Sequence, residues 1–314
     1  MLLWAVLIVL MLPVRSIAQP PRDSALFGII RSGDLAGLKQ ALDAGSDPNA
    51  DDHGFTALMA ATLYGTVEQM RLLLERGAHP NVADEDSITA LWLAVPDTAK
   101  TRVLLDGRAN PVLLSKEHFN LLVKLASFAG TTPLFRELVA KGVDPRGGRD
   151  NLVLYNAAGT DDTVLVSYLL GLGLRPDDTT FFGDYPINMA MNFRCFATMK
   201  LLVEHGAGVN VGMPNTVLPN ERGLTPLMMA AVYDDEQSFF YLLDHGADIH
   251  AKSKSGFTAL HFVQLGLTDH PDMTRALLLR GADPMEKAIN GDTPRSLSAN
   301  KGHTRSEQLL NQKN

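Results

Sequence analysis

The chain has 314 residues, 46% of them hydrophobic and 20% charged, which is enough apolar side chain for a continuous core and excludes a disordered chain. Its 28 Lys plus Arg against 35 Asp plus Glu give a net charge of −7, and this balance argues against nucleic acid as a partner. Aromatic residues make up only 7% while Leu and Ala dominate, so the composition points to an all-α fold in which helices pack through small and aliphatic side chains.

The first element is MLLWAVLIVLMLPVRSIAQPP, an apolar run from Met1 to Val14 followed by Arg15 and the small residues of Ser16-Ile17-Ala18. This pattern predicts a signal peptide over residues 1–18 with cleavage after Ala18; an uncleaved N-terminal anchor is the alternative, because the leading residues carry no Lys or Arg. The run is shorter than the roughly 20 residues needed to span a bilayer, and no later stretch approaches that length. Cleavage removes Arg15 and leaves 27 Lys plus Arg, for a net charge of −8. The single cysteine, Cys195, has no partner for an internal disulfide, so an exported chain must be held by packing alone. No Asn-x-Ser/Thr site occurs, which favours a bacterial periplasm over a eukaryotic secretory route, with secretion as the alternative.

Beyond the leader the chain repeats itself. The segment GFTAL at 54–58 recurs letter for letter at 256–260. Aligned on its Thr, the positions Thr56, Thr89, Phe119, Leu152, Tyr185, Thr225, Thr258 and Thr293 follow one another at 33, 30, 33, 33, 40, 33 and 35 residues, a period of about 33. A second marker runs in step with the first: LLLERGAHPN at 72–81, LLVEHGAGVN at 201–210, LLDHGADIH and LLLRGADP at 277–284. The pattern predicts a capping unit at about 22–53, seven inner units over about 54–290 and a polar C-terminal cap from 291 to 314. The period implies one solenoid domain over residues 19–314 whose units stack because none can bury its apolar face alone.

Each marker letter has a mechanical reading. Thr caps the first helix of a unit, and Pro after it, as in Thr225-Pro226, suits the first helical position. Ala60-Ala61 and Ala230-Ala231 let successive helices approach, the Leu pairs fill the interior, and Gly77, Gly206, Gly246 and Gly281 end second helices in a left-handed residue. The middle units depart from this: Thr is absent at Phe119 and Leu152, and Pro96 in LWLAVPDTAKTRVLL should truncate the first helix of its unit. The 40-residue interval implies an insertion of about seven residues within GVNVGMPNTVLPNERG at 208–223, expected as a protruding loop.

Segments carrying both markers, such as GLTPLMMAAVYDDEQSFFYLLDHGADIHA at 223–251, resemble the ankyrin repeat over nearly all of the mature chain. The resemblance implies helix-turn-helix units with β-turn fingers and a protein-binding surface on the concave face formed by finger tips and first helices. At the positions that stacking leaves free stand Phe55, Phe181, Phe182 and Phe257 near turn glycines, and Tyr64, Phe193 and Tyr233 at helix corners. Rings in these places are the candidate partner contacts, joined by the acidic tips Asp51, Asp52, Glu85 and Asp86, which favour a protein partner with a basic surface.

The chain contains none of G-x-S-x-G, H-E-x-x-H, a phosphate-binding glycine loop or C-x-x-C, so no catalytic residue, metal ligand or cofactor site is assigned. His205 and His245 precede helix-ending glycines and His261 stands at the His of the T-P-L-H pattern, all structural positions by that resemblance. Asp51-Asp52-His53 and Asp84-Glu85-Asp86 could hold a cation but fit solvated turns better, and Cys195, near the end of a first helix, fits a buried thiol better than one activated by Arg194 or Arg222. The expectation is therefore a monomeric, non-catalytic, exported scaffold that binds a protein. The alternatives are an immunity protein that neutralises a secreted toxin and a periplasmic factor supporting peroxide resistance alongside catalase; a hydrolase ranks last.

Overall fold

The computed structural model describes residues 25–52, 54–116, 118–146, 152–214 and 222–312. The signal peptide expected over 1–18, His53, and the middle of the 208–223 insertion lie outside them. The described residues fall into two compact units separated between Arg149 and Asp150, and each is a row of helix pairs.

In the first unit the pairs are α1 (Ala25–Ser32) with α2 (Leu35–Asp43), α3 (Ala57–Tyr64) with α4 (Val67–Glu75), α5 (Ala90–Ala94) with α6 (Thr98–Asp106), and α7 (Leu121–Leu125) with α8 (Thr132–Ala140). In the second they are α9 (Leu152–Ala158) with α10 (Thr163–Gly171), α11 (Pro186–Asn192) with α12 (Phe196–Glu204), α13 (Pro226–Val232) with α14 (Glu236–Asp244), α15 (Ala259–Leu265) with α16 (Pro271–Leu279), and α17 (Pro294–Lys301) with α18 (Thr304–Leu310). First helices stack on first helices along the row, and second on second, as α3 on α1 and α14 on α12.

This layering explains two kinds of helix sequence. A first helix is covered on several sides, so α3 (ALMAATLY) is apolar almost all round and its residues 57–62 are buried. A second helix shows one face to solvent and keeps one apolar stripe, as with Met70 and Leu73 on α4. Ala60, Ala61, Ala230 and Ala231 are essentially unexposed between neighbouring helices, where a longer side chain would push the layers apart.

First helices start where Thr caps them. The hydroxyls of Thr56, Thr89, Thr225 and Thr293 accept from the amides of Met59, Trp92, Met228 and Ser296 at 3.1–3.4 Å. In the fourth pair Asn120, one residue beyond Phe119, does this work, its Oδ1 accepting from Leu122 at 3.0 Å. The alignment at Phe119 is thus one residue out of register: Phe119 ends the finger and Asn120 replaces the Thr. As expected, α5 is cut to five residues, ending just before Val95-Pro96. Gly77, Gly206, Gly246 and Gly281 all have positive φ, each just after the residue that closes its second helix.

Between pairs the chain turns through a five-residue finger with a fixed bonding scheme. In Asp84–Ile88, Ser115–Phe119, Thr180–Asp184, Ser253–Phe257 and Ala288–Asp292 the first amide donates to the fifth carbonyl and the fourth amide to the first carbonyl, at 2.8–3.0 Å. The fourth residue has positive φ, and is Ser87, His118, Gly183, Gly256 or Gly291. In the first finger β1 (Asp51–Asp52) pairs antiparallel with β2 (Phe55–Thr56) around Gly54. The base of the 208–223 insertion is clamped in the same manner, Met213 donating to Leu224 at 2.9 Å and Gly223 to Met213 at 2.7 Å.

Candidate functional site

The aromatic candidates separate by depth. In the second unit Phe181 and Phe182 sit at positions two and three of their finger, 79% and 57% exposed, with rings edge to face at 5.5 Å. Phe193 closes α11 and is 51% exposed; a side-chain carbon on Gly159 would touch its ring at 3.4 Å, so the ring lies over that glycine. Tyr233 closes α13 and is half-buried; burial pushes its hydroxyl up, partly offset by the nearby Arg194 guanidinium. Phe257 fills the fifth finger position and is half-buried, packing at 5.3 Å on His261 and edge to face at 5.7 Å on Phe262, so part of this ring is bound up in its own unit. In the first unit Tyr64, the last residue of α3, is 40% exposed, and Phe55 is half-buried in β2.

The acidic tips divide in the same way between structure and surface. Asp84 builds its finger, its carboxylate accepting from Ile88 at 2.8 Å and Asp86 at 3.0 Å, while burial pushes its pKa up. Asp86 pairs with Lys116 at 3.7 Å, Glu85 is exposed, and Asp51 accepts from the Gly54 amide at 3.1 Å. Asp52 is half-exposed beside it. Among the described residues no group of three or more His, Cys, Asp and Glu is placed to hold a metal ion.

The histidines near helix ends are structural. Nδ1 of His205 bonds to the Leu201 carbonyl at 2.9 Å and Nδ1 of His245 to that of Tyr241 at 2.7 Å, each helping to satisfy a helix terminus. His261 is unexposed; its Nδ1 accepts from the Thr258 amide at 3.1 Å, and its Nε2 lies 3.4 Å from the Asp292 carbonyl of the following finger. Burial holds its pKa below the ordinary range.

Cys195 lies just past the end of a first helix and is buried, as the sequence suggested. It stands before α12, at the corner between the paired helices, because α11 has already ended at Asn192. The thiol is buried and lies 3.7 Å from the Phe193 carbonyl. Burial and then the Asp161 carboxylate raise its pKa to about 11, the reverse of activation by an arginine.

Three groups of side chains escaped the sequence reading. The first is a ladder of asparagines on the second marker: Asn49, Asn81 and Asn210 each accept from an amide of the next unit at 2.6–2.8 Å and donate to a carbonyl there at 3.0–3.4 Å. The second is a pair of corner aspartates that cap helices of the following pair. Asp161 accepts from Thr198 at the start of α12, and Asp269 accepts from Arg305 and Ser306 at the start of α18. The third is Asp184, 5% exposed at a finger position filled elsewhere by Phe55, Ile88, Phe119, Leu224 and Phe257. Asp292 holds the same place in the last finger but is half-exposed, so the aligned repeats show the carboxylate and not its burial.

A family model described as Ankyrin repeats (3 copies) matches residues 26–113 and 154–253, and one described as Ankyrin repeat matches 255–288. The chain is 27% identical over 231 residues to SH3 and multiple ankyrin repeat domains protein 2 of Homo sapiens, covering 73% of this chain and 10% of that protein. It is 30% identical over 192 residues to Ankyrin repeat and SOCS box protein 16 of Homo sapiens, covering 58% of this chain and 41% of that protein. It is 29% identical over 202 residues to Mitochondrial disaggregase of Bos taurus, covering 63% and 25%. The chain thus spans less than half the length of each of these relatives.

Proposed function

We infer that this chain, which belongs to the ankyrin-repeat family, is a non-catalytic scaffold that holds a protein partner against its finger tips and helix corners. Repeats of this family mediate protein–protein interactions and are typically without catalysis. The observation that carries the reading here is the exposure of Phe181, Phe182 and Phe193, three large rings left open to solvent at a finger tip and a helix corner. Rings of this kind bury much area at little entropic cost, which is what a binding hot spot requires. The exposed acidic finger residues Asp51 and Glu85 favour a partner with a basic patch. The apolar leader at residues 1–18 supports export, with the periplasm as the place of action. Among the described residues no helix is long and apolar enough to cross a membrane.

The test is a pull-down with the full chain from the cells that make it, run beside a variant carrying Phe181→Ala, Phe182→Ala and Phe193→Ala. A partner retained by the native chain should be lost, with affinity falling at least about tenfold for truncation of hot-spot rings, while circular dichroism shows the variant folded. Equal retention by both chains removes these rings from the site.

A further inference from the structure

The fingers share a backbone but differ in what they hold out at their second and third places. Among the described residues of the first unit those places carry Asp52, Glu85, Asp86 and Lys116, the last two paired at 3.7 Å. In the second unit they carry Phe181 and Phe182, then Arg222 just ahead of the fourth-place Gly223, then Lys254 and Ser255, then Ile289 and Asn290. Phe181, Phe182 and Ile289 are all well exposed, Ile289 by 80%. Arg222 and Lys254 are exposed too, and among the described residues no acidic side chain forms a salt bridge with either. Of the finger carboxylates in this unit, Asp184 is buried and Asp292 accepts from the Asn290 side-chain amide at 2.7 Å. Just outside the fingers Glu286 is held by Lys252 at 2.6 Å, while Glu221, beside Arg222 in the chain, lies outside the described residues.

These places are also adjacent in space. The Lys254 amide donates to the Arg222 carbonyl at 2.9 Å and the Ile289 amide to the Ser255 carbonyl at 3.0 Å, so the second place of each finger is bonded to the third place of the finger before it. A side-chain carbon on Gly183 would lie 3.8 Å from the Pro214 ring, which continues the row back to the two phenylalanines. One rung is different. The second place after the Phe finger is Pro214, which has no N–H, so the Phe182 carbonyl lacks the donor that the Arg222 and Ser255 carbonyls receive.

We propose that the finger row of the second unit is a seat for an extended acidic polypeptide segment with an apolar side chain near each end. Its carboxylates lie against Arg222 and Lys254, its apolar side chains against the Phe pair and Ile289, and its main chain supplies the N–H that Pro214 cannot. Three steps along the row, each two strand spacings wide, come to roughly 30 Å, which about nine extended residues cover. The seat names the partner chemistry of the surface assigned under the proposed function and rests on that reading. It gives the second unit the opposite charge preference to the acidic fingers of the first.

The experiment is fluorescence anisotropy of the full chain with three labelled peptides of about ten residues: glutamates flanked by Phe and Leu, lysines flanked by the same two, and glutamates alone. The first should bind at least about tenfold more tightly than either of the others and weaken as salt is raised. Arg222→Glu with Lys254→Glu should abolish the preference for the acidic peptide, and Phe181→Ala with Phe182→Ala should weaken its binding about tenfold, with circular dichroism unchanged in both variants. Binding by none of the three peptides, equal or tighter binding of the lysine peptide or of glutamates alone, indifference to the charge reversal, or tighter binding of a single-stranded oligonucleotide overturns the seat. The pull-down separates the two readings. A cellular partner lost by the ring variant but retained by the charge reversal refutes the acidic segment and leaves the scaffold; peptides that behave as expected while the ring variant loses no cellular partner refute the scaffold reading and leave the chemistry of the row.

Discussion

At the scale of single residues, the repeated words of the sequence translate into equal geometry. Gly54 and Gly256, the glycines of the two GFTAL segments, have φ of +85° and +80°. A side-chain carbon on Gly54 would lie 3.2 Å from the Asp84 backbone, and one on Gly256 would lie 3.2 Å from the Ile289 amide nitrogen, in each case the finger of the next unit. Gly77 has a similar φ of +92° but open space around it. Gly77→Ala should therefore cost only backbone strain, about 1 kcal/mol, whereas Gly54→Ala and Gly256→Ala add a clash with backbone and should cost about 2 kcal/mol or more. Urea denaturation of the three variants checks the order. Cys195 yields a second prediction at this scale. With its thiol raised to about 11 by burial, it should react with a thiol reagent at mildly alkaline pH at least about a hundredfold more slowly in the native chain than in denaturant. Comparable rates would mean that the corner opens readily.

At the scale of elements, the second helices show how one pair depends on the next. Several second helices cap themselves, as α4 does with Thr66 and α14 with Asp235. Before α12 and α18 stand Cys195 and His303, which make no side-chain cap, and the donors there are taken by Asp161 and Asp269 of the preceding pair. Asp161→Ala and Asp269→Ala should each cost about 1 kcal/mol, as loss of an ordinary N-cap does, although neither belongs to the helix it caps. Burial alone would raise the Asp269 carboxyl, but the Ser306 hydroxyl and the Arg305 and Ser306 amides outweigh it and hold its pKa below the ordinary range. A depressed carboxylate stabilises above its unfolded pKa and loses that contribution as pH falls through the folded one, so the deficit of Asp269→Ala should be full at neutral pH and close in acid. Stability curves at both pH values measure it.

At the scale of the whole molecule, stability accrues by stacking, and a row of pairs must end in something that tolerates water. The last pair does so: α17 (PRSLSANK) and α18 (TRSEQLL) are polar on much of their surface yet bury Leu297 and Leu310 inward. Deleting residues 291–314 would strip the covering helices from α15 and α16, and should lower the midpoint of unfolding of the second unit and cause aggregation on concentration. Light scattering and thermal melts of the shortened chain test this; an unchanged melting profile would show that the last pair caps nothing.

The period, the helix pairing, the left-handed glycines and the shortening of α5 before Pro96 were all legible in the sequence, because each is fixed by local chemistry: a hydroxyl that caps, a ring that lacks an N–H, a residue without a side chain. The one-residue register shift that makes Asn120 the cap of α7 was hidden, since Asn and Thr do the same work with different letters. The site divides along the same line. Sequence phase placed Phe181, Phe182, Phe193 and Tyr64 at free positions, and all four are exposed. It could not tell that Phe257 rests on His261 and Phe262, that Asp161 and Asp269 cap helices thirty-odd residues away, or that Asp184 is buried. What the sequence determined by itself is the repeating unit, whose forces act within a few residues along the chain. What only the tertiary structure decided is which side chains remain free, because that depends on what the neighbouring unit has already covered.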